Sequence, residues 1–119
     1  MEFKNNEAIY IQIANYVIDQ ILMTKWLPDT KIPSVRDLAI ELQVNPNTAM
    51  RSYEYLQNKE IIYNKRGIGF FVSPDSHDKI IREKRELFMR EDLPSMFKSM
   101  ELLNVSMDEI VDAYNKFKP

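Results

Sequence analysis

Residues 44–56 read VNPNTAMRSYEYL, and the fold turns on how the proline at 46 is taken. Ala49, Tyr53 and Leu56 recur at helical spacing, so the stretch carries one apolar face. Asn45 has a side-chain oxygen able to cap a helix start. Pro46 then falls at the first helical position, where its missing N–H is no loss. The proline is therefore a start signal, and a helix is predicted from here to about Asn58. Just upstream, KIPSVRDLAIELQV (31–44) holds a second start. Pro33 marks the chain's entry, and Ser34 with Asp37 forms an S-x-x-D capping box. Val35, Leu38, Ala39 and Leu42 give this helix of about two turns its buried face. Two short helices separated by a few residues, each with its own cap, make a helix-turn-helix.

Downstream, Ile61 to Asn64 and Ile68 to Val72 are β-prone runs on either side of Lys65-Arg66-Gly67. They predict a hairpin with a basic tip, Gly67 taking positive φ at the turn. Upstream, Ile9, Ile13, Val17 and Ile21 keep a four-residue spacing, with Tyr10, Ala14 and Leu22 alongside, and Trp26 to Thr30 stops that helix. A helix-turn-helix followed by a hairpin is a winged helix. Beyond a short linker at 73–76, residues 77 to about 103 carry a charged helical pattern, with a kink or break expected at Pro94. Ser106 and Glu109 form a further capping box, opening a last helix with Ile110, Val111, Tyr114 and Phe117 on its apolar side. Ile80, Ile81, Leu87, Phe88, Met96, Phe97, Met100 and Leu103, with Ile110 and Tyr114, are more apolar surface than two helices can cover themselves. Such a surplus points to an interface with a second copy of the chain, the alternative being that these helices fold back on their own domain. The fold expected is mostly α with a small β-hairpin: a winged helix-turn-helix domain over 1–73 and a two-helix dimerisation appendage over 74–119.

The chain's 119 residues suit one compact domain and an appendage, and 45% apolar with 29% charged residues is ordinary globular composition. It has no cysteine, which removes disulfides and thiolate metal sites and favours a reducing compartment. Neither a signal peptide nor a run of about 18 apolar residues is visible, so no membrane association and a cytoplasmic location are expected. The net charge of −2 is unevenly spread. Residues 25–72 carry seven cations against five anions, while the flanks on either side are each at −2. The basic part coincides with the helix-turn-helix and hairpin, where a polyanion would meet it.

A helix-turn-helix places the start of its second helix in the major groove. With 49, 53 and 56 turned inward, Asn45, Pro46, Asn47, Met50, Arg51 and Glu54 lie on the outer side. Arg51 is the candidate for a bidentate contact to guanine, and Asn47 for adenine or a phosphate. Asn45 and Thr48 suit phosphates at the helix start, and Ser34 is a further candidate although its capping role already engages it. Lys65, Arg66 and Gly67 at the hairpin tip suit a minor-groove or backbone approach.

Taken together, W-L-P-D-T-K-I-P-S-V-R-D-L-A-I-E-L-Q-V-N-P-N-T (26–48), L-Q-N-K-E-I-I (56–62) and R-G-I-G-F-F-V (66–72) resemble the DNA-binding domain of GntR-type bacterial transcription regulators. The opening A-I-Y-I-Q-I (8–13) is similar to the family's first helix, and the short helical tail is similar to that of its YtrA-like subfamily. The resemblance spans residues 8–72. It implies that Arg36, in the P-S-x-R block, reaches DNA. It also implies that the chain represses transcription as a homodimer on a palindromic double-stranded operator, controlling a transporter operon. Some positions depart from the pattern. Ala8 replaces a common proline, and Met50 stands where many relatives carry a basic DNA contact; an apolar contact with a thymine methyl is one role open to it. Asp29 and Glu60 replace glycines. A non-glycine in a left-handed cap costs on the order of 1 kcal/mol, so the second helix of the motif is expected to end differently.

No cofactor is implied, and an enzyme is not expected. His77 is the single histidine, and neither a phosphate-binding glycine loop nor metal-spaced ligands are present. A small-molecule effector of unknown identity between the Met- and Phe-lined helices fits the composition. The competing reading is a winged helix that binds another protein through the same face.

Overall fold

The computed structural model describes residues 7–119. Along the chain run α1 (Ile9–Leu22), α2 (Val35–Leu42), α3 (Pro46–Asn58), β1 (Ile62–Lys65), β2 (Gly69–Val72), α4 (Ser76–Leu87), a π-helical turn (Phe88–Asp92), α5 (Leu93–Leu103) and α6 (Met107–Phe117). The chain divides into two compact units, Met1–Arg82 and Glu83–Pro119.

In the first unit the predicted stripes meet in one core. α1 supplies Ile13, Ala14, Val17, Ile18 and Ile21, α2 Leu38 and Leu42, α3 Tyr53 and Leu56. Each large apolar side chain buried in this way contributes about 1.5–3 kcal/mol. Ile9, first of the four-residue series, is instead exposed, because it sits at the helix start ahead of the packed turns. Ile80, expected at a dimer surface, is 2% exposed and belongs to this same core. The unit therefore takes in the first turns of α4 and runs to Arg82, past the boundary expected at 73/74.

Local signals fix how α2 and α3 begin. The Ser34 hydroxyl accepts from the Asp37 N–H at 3.0 Å, and Asn45 Oδ1 accepts from the Asn47 N–H at 2.8 Å, with Pro46 in the first turn. Their ends depend on left-handed residues. Gln43 closes α2 at φ 56°, and the Val44 N–H reaches back to the Ala39 carbonyl at 3.0 Å. α3 does not avoid the left-handed cap at Glu60, contrary to expectation: Glu60 has φ 61°, and the Ile61 N–H donates to the Leu56 carbonyl at 3.0 Å. The strain is offset by the Lys79 ammonium, which reaches the Glu60 carboxylate at 3.3 Å and its carbonyl at 3.5 Å. Asp29 is likewise left-handed at φ 59°. Its N–H donates to the Val72 carbonyl at 2.8 Å, and its carboxylate accepts from the Tyr63 hydroxyl at 2.9 Å. Gln43 has an exposed side chain and the same backbone cost. Gln43→Gly is expected to raise stability by about 0.5–1 kcal/mol, the left-handed penalty less the added freedom of the unfolded chain. A thermal melt of the two proteins measures it.

The hairpin pairs antiparallel from Ile62↔Val72 to Lys65↔Gly69. Residues 30–32 lie along its other edge, bridging through Lys31 and Phe71 and bonding Ile32 N–H to the Phe70 carbonyl at 3.0 Å. Ile68, expected in the second strand, sits in the turn, where its N–H donates to the Lys65 carbonyl at 2.9 Å. Gly67 takes φ 79°, as a turn of this kind requires.

In the second unit, Pro94 is the second residue of α5. The proline is absorbed by the wide π turn before it rather than by a loop, consistent with the residue inserted at such turns. α6 opens with a complete capping box: Glu109 N–H to the Ser106 hydroxyl at 3.2 Å and Ser106 N–H to the Glu109 carboxylate at 2.8 Å. Among the residues of the π turn, α5 and α6, none is buried.

Candidate nucleic-acid interface

α3 presents two different sides. Ala49, Ser52, Tyr53 and Leu56 are buried, and Tyr53 donates its hydroxyl to the Pro33 carbonyl at 2.6 Å, tying α3 to the chain just ahead of α2. The other side leaves Asn45, Pro46, Asn47, Met50, Arg51 and Glu54 exposed, as the spacing implied, while Thr48 is half-buried. Met50 is 41% exposed, so an apolar side chain stands at the front of an otherwise polar surface.

The helix start adds a field to these side chains. Its positive dipole end favours an anion there, while Pro46 has no N–H and those of Asn47 and Thr48 already bond to Asn45 at 2.8 and 3.0 Å. The Asn45 side chain is engaged in capping, which leaves its amide N–H₂ group pointing away from the bond it makes. Ser34 serves α2 in the same way, and the reciprocal half of its box is not formed among the hydrogen bonds of the described residues. Arg36 is exposed on α2, and among the described residues it forms no ion pair with Asp37 or Glu41.

At the hairpin tip Lys65, Arg66 and Gly67 are all exposed. The Lys65 ammonium lies over the Phe71 ring, 4.5 Å from its centroid, and Phe71 stacks on Tyr63 at 5.7 Å. These aromatic contacts stiffen the base of the hairpin beneath its cations. The Tyr63 phenol, whose ionisation partial desolvation and the Asp29 carboxylate both oppose, stays a neutral donor to that carboxylate. Gly69 has φ 141°, a backbone conformation that strains any residue with a Cβ, and the flexible end of the Lys31 side chain lies beside it.

Arg51 has a partner that the helix-turn-helix pattern does not reveal. Its guanidinium carbon lies 3.9 Å from the ring centroid of Tyr10, on α1. From the sequence, Tyr10 was legible only as a flank of the first helix's stripe. The residues expected at a dimer surface are distributed over both units. Ile81 is exposed in the first unit, whereas Leu87, Phe88, Met96, Phe97, Leu103 and Tyr114 are exposed and Met100 and Ile110 half-buried in the second. Met89, Leu102 and Met107 are exposed there too, beyond the residues expected from the helical pattern.

A helix-turn-helix packed on a third helix, with a basic hairpin following it, is a winged-helix DNA-binding domain. Comparison with known proteins narrows the class. Residues 9–72 match the bacterial regulatory proteins of the gntR family. The chain is 32% identical over 116 residues to the HTH-type transcriptional regulator YhcF of Bacillus subtilis, covering 98% of this chain and 94% of that one. It is 27% identical over 107 residues to the HTH-type transcriptional repressor YtrA of the same organism, covering 90% and 82%. A crystal structure of a GntR-family transcriptional regulator from Bacteroides thetaiotaomicron is similar at TM-score 0.76 and 45% identity, over 92% of this chain and 96% of that one. The AraR DNA-binding domain in complex with operator ORX1 is similar at TM-score 0.54 and 26% identity, over 60% and 93%. The chain belongs to the GntR family: it is a transcriptional regulator with a DNA-binding helix-turn-helix, in a family of non-enzymatic DNA-binding proteins. Among the described residues no helix is long and apolar enough to cross a membrane.

Proposed function

We propose that the chain is a cytoplasmic repressor that binds a palindromic operator as a homodimer, each copy laying the start of α3 in a major groove. The observation that carries this is the division of α3 into a buried side and a free, largely polar side that begins at the helix's positive end. Arg51 reads a guanine, Asn47 an adenine or a phosphate, and Met50 meets an apolar base edge. Asn45, Thr48, Ser34 and Arg36 hold phosphates, and Lys65 and Arg66 follow the backbone or minor groove beside Gly67. The repressor role is supported by the likeness to Bacillus subtilis YtrA, and operator binding by that to the AraR complex. The resemblance to the YtrA-like group further suggests a transporter operon as target.

The homodimer is supported by the second unit, whose apolar side chains lie largely uncovered. One module reaches only a few base pairs, so specificity needs two on one site. In gel-shift titrations with the DNA upstream of the chain's own gene, Arg51→Ala is expected to weaken the specific site by about 1–3 kcal/mol and relax it at one position. Lys65→Ala should instead weaken every duplex alike and lower the salt slope by about one. Unchanged affinity in Arg51→Ala would remove that residue from base reading. Failure of the wild-type protein to shift any sequence there would refute the repressor reading.

A further inference from the structure

Arg51, on the exposed α3 face, rests on a residue of another helix. Its guanidinium lies over the Tyr10 ring at 3.9 Å, a cation–π distance. The ring is itself held from two sides. Tyr55, one turn after Arg51 on α3, meets it edge-on, with centroids 6.0 Å apart and planes at 76°. The backbone of Tyr10 is anchored as well: its carbonyl accepts from the Ser52 hydroxyl at 2.7 Å, and Ser52 is fully buried. A tyrosine fixed at both ring and backbone is a rigid platform. The same turn of α1 borders the reading face, where Ala8, Ile9, Tyr10, Asn47, Thr48 and Arg51 line an open concavity of about 400 Å³.

We infer that Tyr10 is a positioning residue for operator recognition: it holds the Arg51 guanidinium in the orientation that reads a base. The inference rests on the assignment of Arg51 to base reading and deepens it. A cation–π contact is suited to the task because the ring face holds the cation without presenting an oxygen or nitrogen acceptor to its N–H donors. A free arginine must give up its rotamer freedom on binding, and one held on a ring has given up much of it already. Tyr10 itself need make no contact with a base.

The test compares Tyr10→Leu, Tyr10→Phe, Arg51→Ala and the Tyr10→Leu/Arg51→Ala pair. Leucine keeps the apolar bulk without the π face, and melting curves confirm that each variant folds. Two duplexes of equal length serve as probes: a palindrome selected by the wild-type protein from a randomised library, and a scrambled sequence. Tyr10→Leu is expected to weaken the selected palindrome about three- to tenfold, the range of a cation–π contact, and Tyr10→Phe to stay within about twofold. Binding to the scrambled duplex and the salt slope should not move, and the Tyr10→Leu loss should vanish when Arg51 is already alanine. A loss that persists without Arg51, or that is equal on both duplexes, overturns the inference, since Tyr10 would then act by itself. So does wild-type affinity in Tyr10→Leu beside a weakened Arg51→Ala, which would leave Arg51 reading unaided. Unchanged binding in Arg51→Ala is a different failure, sinking the base-reading assignment on which the inference stands.

Discussion

Tyr53→Ala is expected to destabilise the winged unit by about 3–5 kcal/mol, the range for truncating a buried aromatic residue. Set against the roughly 5–15 kcal/mol that holds a domain folded, that loss is large enough to leave a substantial unfolded population. Tyr53 is fully buried, meets Phe70 of β2 edge-on at 5.0 Å and 80°, and donates to the Pro33 carbonyl at 2.6 Å. One side chain thus joins α3, β2 and the entry to α2. Tyr53→Phe separates the contributions: the ring stays, and the half-buried Pro33 carbonyl loses its donor, at about 0.5–1.5 kcal/mol. Urea titrations of the three proteins give both values. A Tyr53→Ala cost no greater than that of Tyr53→Phe would mean that the ring's packing adds nothing.

The same phenol makes stability fall in alkali. Burial pushes its ionisation well above the ordinary phenol range, reinforced by the carboxylates of Glu41 and Asp37. A folded-state value above the unfolded one gives a contribution that is complete below the unfolded value of about 10 and is lost as pH rises towards the folded one. Urea midpoints should therefore drop above about pH 10 in the wild type and less steeply in Tyr53→Phe. Lys79 works in the same direction. Desolvation lowers its ionisation, but the hydrogen bond to Glu60 and the charge of Asp75 outweigh this and raise it. The difference between wild type and Tyr53→Phe isolates the phenol, because Lys79 titrates in both.

What could be read in advance follows from how local each signal is. Asn45 and Pro46 specify a helix start within three residues, and Gly67 specifies a turn by itself, so α3 and the hairpin tip were legible. Glu60 and Asp29 were not, because the groups that make their left-handed backbone tolerable, Lys79 for one and Tyr63 with Val72 for the other, come from far along the chain. Ile80 shows the corresponding limit of periodicity. Helical spacing marks it as facing something apolar but does not say whether that is a second chain or, as found, this unit's own core. At the interface, the outer side of α3 followed from subtraction once 49, 53 and 56 were turned inward. The Tyr10 platform beneath Arg51 did not, since it depends on how α1 packs on α3.

If the chain is the homodimer proposed above, Met96→Asp combined with Leu103→Asp is expected to make it a monomer and to weaken binding to a selected palindrome about 100-fold or more, on the scale by which joining two binding modules raises avidity. Met96, Met100 and Leu103 repeat at i, i+4 and i+7, so they share one side of α5. Leu103 is 72% exposed there, and near it in sequence Leu102 is 83% exposed; at the end of α6 Phe117 is 82% exposed. Ordering a residue's backbone costs about 1–2 kcal/mol, and α5 and α6, which bury no residue in the single chain, have little to set against it. In the proposed homodimer a second copy would supply the missing cover, and two-fold symmetry would make each such contact count twice. Two aspartates there would have to be desolvated on association, which opposes it strongly. Sedimentation at micromolar protein reads the assembly and gel shifts read the palindrome, while a single half-site duplex should bind as before. A variant that remains dimeric with undiminished operator affinity would move the dimer contact off α5. A monomer that still binds the palindrome at full strength would show that two-site binding is not what gives this regulator its affinity.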